Sequence, residues 1–86
     1  MADRSSYESY LSLDATKFVA LLTKRQQKVV LDLADQIAKH PFQIGDYPTT
    51  DATGRRVENL LLDGYLFSYW VDHLVREVRI SEIVRV

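Results

Sequence analysis

An α+β fold, with a short N-terminal strand and a helical hairpin packed on an antiparallel sheet, is predicted by three observations. Apolar residues recur at three- and four-residue spacing between Ala15 and Ile37. From Val57 onward the apolar residues fall in short runs rich in branched and aromatic side chains. An Asp63-Gly64 pair, the strongest short hairpin signal, separates two of those runs. The order read from the chain is β-α-α-β-β-β in one domain, residues 1–86, with residues 1–6 expected to be disordered because they are polar and terminal.

Each element has its own reason. Tyr7, Leu11 and Leu13 share one parity and Glu8, Tyr10 and Ser12 the other, which suits a short strand over Tyr7–Leu13. Asp14 is placed to cap a first helix whose buried side is Ala15, Phe18, Val19 and Leu22. Thr23-Lys24-Arg25-Gln26 fits a capping box, so a second helix starts there, with Val30, Leu33, Ala34 and Ile37 facing inward. Lys39 and His40 suit its C-terminal dipole, and Pro41 stops it. Phe42 to Gly54 reads as loop. Strands follow at Val57–Leu62, Tyr65–Val71 and Leu74–Ile80, with a reversal at Asp72-His73. A parity slip near Ser81-Glu82-Ile83 predicts a bulge or bend before Val84 and Val86.

Composition narrows the function classes. Eleven basic and twelve acidic side chains give a net charge of −1, without the basic excess of a dedicated nucleic-acid binder. The absence of cysteine excludes a thiol nucleophile, a disulfide scaffold and a Cys-ligated zinc, and two histidines are too few for a His-based structural metal site. No cofactor is expected: the chain has no P-loop, no Gly-x-Gly-x-x-Gly, no His-Glu-x-x-His and no Gly-x-Ser-x-Gly. No signal-peptide core or membrane-length apolar run is present, so a cytoplasmic protein without a membrane partner is expected.

On the central strand Tyr65, Phe67, Tyr69 and Val71 form the core-facing set. Leu66 and Trp70 fall on the other face, as packing under the long loop or as part of a contiguous apolar partner surface. Arg55-Arg56, Arg76, Arg79 and Arg85 are interleaved with Glu58, Asp63, Asp72, Glu77 and Glu82. That pattern suits a solvated face of cross-strand ion pairs, or an arginine patch for phosphate or an acidic segment. His73 is a candidate general base, oriented by Glu58 or Glu82, and equally an exposed turn histidine.

Several strings, taken in order and spacing from about Tyr10 to Arg85, resemble the RelE/ParE superfamily of type II toxin–antitoxin toxins. They are Asp14–Leu22, Gln26–His40 ending in Pro41-Phe42, Gly64-Tyr65, Tyr69-Trp70-Val71-Asp72, and Val75–Arg85 with Val78, Arg79 and Ile80. Gly45-Asp46-Tyr47 and Asp51-Ala52-Thr53-Gly54-Arg55 are similar to a subgroup of that superfamily. The resemblance implies a small toxin, associated with plasmid stabilisation, held by a cognate antitoxin whose segment wraps the sheet and helices. The cellular target it implies is DNA gyrase for ParE-like members or the ribosome, where RelE-like members cut mRNA. RelE-like nucleases carry an arginine directly after the tyrosine that opens the central strand, and further basic or aromatic residues at the C-terminus. Here Leu66 follows Tyr65, and the last residues are Val84-Arg85-Val86. The expectation is therefore a toxin acting by binding, with Leu66, Trp70, Arg55 and Arg79 on the partner surface. The alternatives are a metal-independent, ribosome-dependent endoribonuclease using Arg55, Arg79 and Arg85 around His73 or Glu58, and a non-toxic homodimeric protein on the same fold.

Overall fold

Residues 6–86 are described in a computed structural model. The disorder expected for residues 1–6 lies outside the described residues except at Ser6, which is exposed and has no regular structure. The elements run β1 (Glu8–Leu11), α1 (Leu13–Ala20), α2 (Lys24–Lys39), β2 (Tyr47–Thr50), β3 (Arg56–Leu62), β4 (Tyr65–Asp72) and β5 (Glu77–Arg85). The strands form one sheet in the order β1-β5-β4-β3-β2. All neighbours are antiparallel except β1 and β5, which are parallel.

Local chemistry explains the helix ends. Ser12, not Asp14, caps α1. Its hydroxyl accepts from Ala15 N at 3.1 Å and donates to Ser81 O at 2.7 Å, so the cap is also a clasp to β5. Both residues are good cap formers; the tie to β5 favours Ser12, and Asp14 becomes the acid of the first turn. The capping box at Thr23 and Gln26 forms as the sequence predicts, with reciprocal bonds of 3.1 and 3.2 Å. Gln27 then binds the carbonyls of Val19 and Leu22, fixing the corner between the helices.

Several strand expectations change, beginning with the first strand, which ends at Leu11 because Ser12 caps the helix that Leu13 opens. The span read as loop contains β2, an exposed edge strand whose Tyr-Pro-Thr-Thr lacks any apolar alternation. The last strand starts at Glu77 rather than Leu74, because residues 73–76 form the turn and Arg76 takes a left-handed φ of 55°. It then runs unbroken to Arg85. The predicted irregularity is a bulge: Tyr69 pairs with Ile80 and Ser68 with Glu82, leaving Ser81 as the extra residue. The Asp63-Gly64 hairpin has both central residues at positive φ, 55° and 85°.

Both helices pack on one face of the sheet. Ala15, Val19, Val30, Ala34 and Ile37 meet Leu60, Tyr65, Phe67, Tyr69, Val78, Ile80 and Ile83, all buried. The parity read for β4 holds: its odd-numbered members carry the core, while Leu66 and Trp70 stay partly exposed on the helix-free face. That face is the one the helices leave open.

Candidate functional site

Strand register sets what the helix-free face presents. Tyr47 and Thr49 from β2 lie beside Asn59 and Val57 from β3. Ser68, Leu66 and Trp70 of β4 sit opposite Asn59 and Leu61 on one side and opposite Glu82, Val84 and Arg79 on the other. Tyr10 of β1 is opposite Arg79. The middle of this face is polar. Asn59, 4% exposed, donates to Tyr47 O and to Thr49 Oγ1, and accepts from Ser68 Oγ at 2.6 Å; Ser81 Oγ donates to Ser68 O. This hydrogen-bonded row divides two apolar regions. One is the Leu61–Leu66–Val84 row across three strands; the other surrounds Trp70. Leu66 and Trp70 are four residues apart on β4, about 13 Å at strand rise. Leu66 and Trp70 thus lie on either side of this polar seam.

Trp70 is covered in part by Arg55, whose guanidinium carbon lies 3.7 Å from the centroid of the indole ring. The loop after β2 is built to place it. Asp51 accepts from the amides of Thr53 and Arg55 and from the Thr53 hydroxyl, and pairs with the Arg55 guanidinium at 3.6 Å. Gly54, at φ 83°, lets the loop close. The Thr53 hydroxyl bond, followed by the Arg55 amide, holds the Asp51 carboxyl below the ordinary range. On the other side of Trp70, Arg79 lies 5.5 Å above the Tyr10 ring and 2.8 Å from Glu77. Tyr10, Ser12, Trp70, Arg79 and Ser81 help to line a hollow of ≈ 200 Å³. The Tyr10 hydroxyl is pushed up from its usual pKa, chiefly by its hydrogen bond to Glu8.

The other candidates gather at the end of the sheet. Arg56, Glu58, Trp70 and His73 line a groove together with Phe42 and Ile44. Glu58 is not free to orient His73: it accepts from Arg56 Nε at 2.6 Å and from Gly45 N at 2.9 Å. The Arg56 bond is the main reason its carboxyl stays below the usual carboxylate range, against the opposing effect of burial. Glu82 sits opposite Ser68 and does not reach His73 either. The partner of His73 is Tyr7, whose hydroxyl lies 2.9 Å from Nδ1, and Phe42 stacks on its ring at 4.9 Å and 12°. Sequence reading missed Tyr7, Tyr10, Phe42 and Asn59; only the parity of Tyr10 could have signalled its place.

The arginines do not form one face. Arg55 and Arg79 flank Trp70, but Arg85 pairs in register with buried Tyr65 and so belongs to the helix-covered side. Nor are the β-sheet ion pairs cross-strand. Arg56–Glu58 and Arg79–Glu77 each join residues two apart on one strand. Among the described residues no group of three or more His, Cys, Asp or Glu is placed to hold a metal ion, and no helix is long and apolar enough to cross a membrane.

No protein-family model and no curated protein matches the sequence. Solved structures do match its shape. A chain of the RelBE2 toxin–antitoxin complex from Mycobacterium tuberculosis superposes with a TM-score of 0.76 at 17% identity, over 94% of this chain and 99% of that one. The protein has a RelE-like fold. A chain of the RelE–RelB complex from Pyrococcus horikoshii gives 0.66 at 16% identity, over 93% and 94% of the two chains. One from the intact Escherichia coli RelBE complex gives 0.64 at 14%, over 93% and 96%. In each case the likeness covers at least 93% of both chains.

Proposed function

We propose that this protein is the toxin component of a bacterial type II toxin–antitoxin pair, acting in the cytoplasm by binding a cellular target and neutralised by a cognate antitoxin. The observation that carries this reading is the RelE-like fold over 94% of the chain, matched to a protein solved in a toxin–antitoxin complex. The partner surface is the helix-free face, with Trp70 between Arg55 and Arg79 and Leu66 in the second apolar row. An extended antitoxin segment reaching both patches would cross the Asn59–Ser68 seam. The target is DNA gyrase or the ribosome.

Binding is favoured over catalysis because four of the five candidate catalytic groups are already engaged within the chain, and the fifth, Arg85, lies on the helix-covered side away from them. Glu58 is held by Arg56 and Gly45, His73 faces Tyr7, Arg79 faces Glu77, and Arg55 faces Asp51 and Trp70. Metal-independent phosphodiester cleavage needs cationic donors directed at the developing charge, and Leu66 holds the strand position discussed above. The decisive experiment is induced expression of the chain alone, with growth scored, and then co-expression with the neighbouring small reading frame. Arrest that the neighbour relieves is expected. Normal growth at full soluble expression overturns the toxin reading, and codon-specific mRNA cuts in arrested cells replace binding with endoribonuclease action.

A further inference from the structure

The two edges of the sheet are not equivalent. At β2, Asp51 N donates to Arg55 O at 3.0 Å, so by alternation Tyr47 and Thr49 turn their backbone groups to β3 while Pro48 and Thr50 turn theirs outward. Proline has no N–H, so this edge offers an incoming strand one donor, from Thr50, and a pyrrolidine ring in place of the other. At β1 the opposite holds. Glu8 N donates to Arg76 O at 3.1 Å and Ser12 N to Ile80 O at 2.8 Å, so the even-numbered residues face β5. Ser9 and Leu11 therefore direct both N–H and C=O outward. No proline, glycine or bulge interrupts this edge, and among the described residues no further strand pairs with it. Beside it, between β1 and α2, lies a groove of ≈ 360 Å³ that Ser9, Asp35 and Lys39 help to line, which leaves space along the strand. An unguarded edge of this kind is a template for pairing with another chain.

We infer that β1 pairs antiparallel with β1 of a second copy of this chain, about a two-fold axis at Tyr10, joining two five-stranded sheets into one. The residues of β1 select this occupant. With the axis at Tyr10, Ser9 forms a hydrogen-bonded pair with the partner's Leu11, and Leu11 with the partner's Ser9, so every outward amide and carbonyl of the strand is satisfied. Tyr10 then lies opposite the partner's Tyr10 in a non-hydrogen-bonded pair, the closer of the two kinds. Its ring, 43% exposed in the single chain, gains an aromatic neighbour on the helix-free face. Charge does not oppose this register. Glu8 meets the partner's Ser12 rather than another acid, and Glu77, opposite Glu8 within the chain, is held by Arg79. Arg79 and the partner's Arg79 stand three strand spacings apart, about 14 Å, beyond the screening length at physiological salt. Asp35 and Lys39 bring one charge of each sign to the groove. Pairing also removes the bare edge from both copies, so the joined sheet ends on Pro48 at either side.

The test is the mass of the purified full chain by sedimentation equilibrium, over a concentration series reaching hundreds of micromolar, together with amide exchange. A dimer is expected, with the Ser9 and Leu11 amides protected although neither faces β5. Ser9→Pro removes a donor that makes no ladder bond within the chain, and the two-fold axis deletes it twice, so association should weaken about thirtyfold. Circular dichroism checks that this variant keeps its fold. Where the proline is not tolerated, Tyr10→Glu carries the test: Arg79 can pair with the new acid inside the chain, but the axis sets two acids face to face. That dimer should dissociate at low salt and return at high salt. Pairing through β1 is overturned if the chain stays monomeric throughout the series, or if a dimer persists unchanged in the folded β1 variants. It is also overturned if the Ser9 and Leu11 amides of the dimer exchange as fast as those of an open edge. The readout is mass and exchange rather than growth, so failure here leaves the toxin reading standing, and the reverse holds too.

Discussion

The two faces of the sheet are made by the same strands and held by different physics. On the covered face, Phe67 and Tyr69 are fully buried among helix side chains, and order comes from close packing of apolar surface. On the open face, the buried residues at the centre are Asn59 and Ser68, and order comes from hydrogen bonds that run from Thr49 to the Ser12 clasp. A packed face tolerates little change in volume and presents nothing to a partner. A polar-seamed face keeps the sheet aligned while leaving Trp70, Leu66, Arg55 and Arg79 at the surface. On the proposed reading, its stability and its capacity to bind are therefore separable.

Four changes test that separation. Phe67→Ala should have the largest effect, about 3–5 kcal/mol of lost stability in denaturant unfolding, as a cavity opens under both helices; a loss below about 1 kcal/mol would show that the covered face repacks freely. Asn59→Ala should cost about 1–3 kcal/mol by leaving Ser68 and Thr49 with broken partners. Its signature is faster amide exchange in β2 than in β4, and uniform exchange across the sheet would count against the seam. Arg55→Ala should change stability by only about 0.5–1 kcal/mol through the lost cation–π contact. It should alter the emission of Trp70, the sole tryptophan, and weaken antitoxin capture well beyond that energy. The smallest effect is expected from Glu58→Gln, and it depends on pH. The Glu58 carboxyl is lowered in the folded state, so its contribution is present above the unfolded pKa and fades as pH falls through the folded one. Urea midpoints of the Gln variant should fall less steeply below the ordinary carboxylate range than those of the parent. Parallel curves would mean that the Arg56–Glu58 bond contributes nothing to folding.

Much of the covered face was legible because its signals are local or periodic. The Thr23–Gln26 box, the Pro41 stop, the Asp63-Gly64 turn and the parity of Tyr65 to Val71 each follow from a few adjacent residues. What escaped was decided by distant ones. β2 forms by pairing with β3, where Asn59 also holds Tyr47 and Thr49 across twelve and ten residues of chain, and nothing within Tyr-Pro-Thr-Thr signals a strand. Ser12 outcompetes Asp14 as a cap through a carbonyl 69 residues away. The start of β5 was misjudged because Leu74 and Val75, apolar residues that suggest a strand, are exposed at a turn that Arg76 closes in a conformation more typical of glycine. The candidate site suffered most, since Tyr7 and Phe42 reach His73 only once the turn and the helix end are brought together.

The position of β5 has a bearing on the timing of synthesis. It lies between β1 and β4, and among the described residues β1 pairs with no other strand, so β1 waits for β5. Until residues 77–85 are available, Tyr65, Phe67 and Tyr69 lack the strand that completes their side of the core, and the Ser12 clasp has nothing to close on. Such long-range closure slows folding relative to local pairing. The five-stranded sheet therefore closes, and its helix-free face is assembled, only once β5 is available.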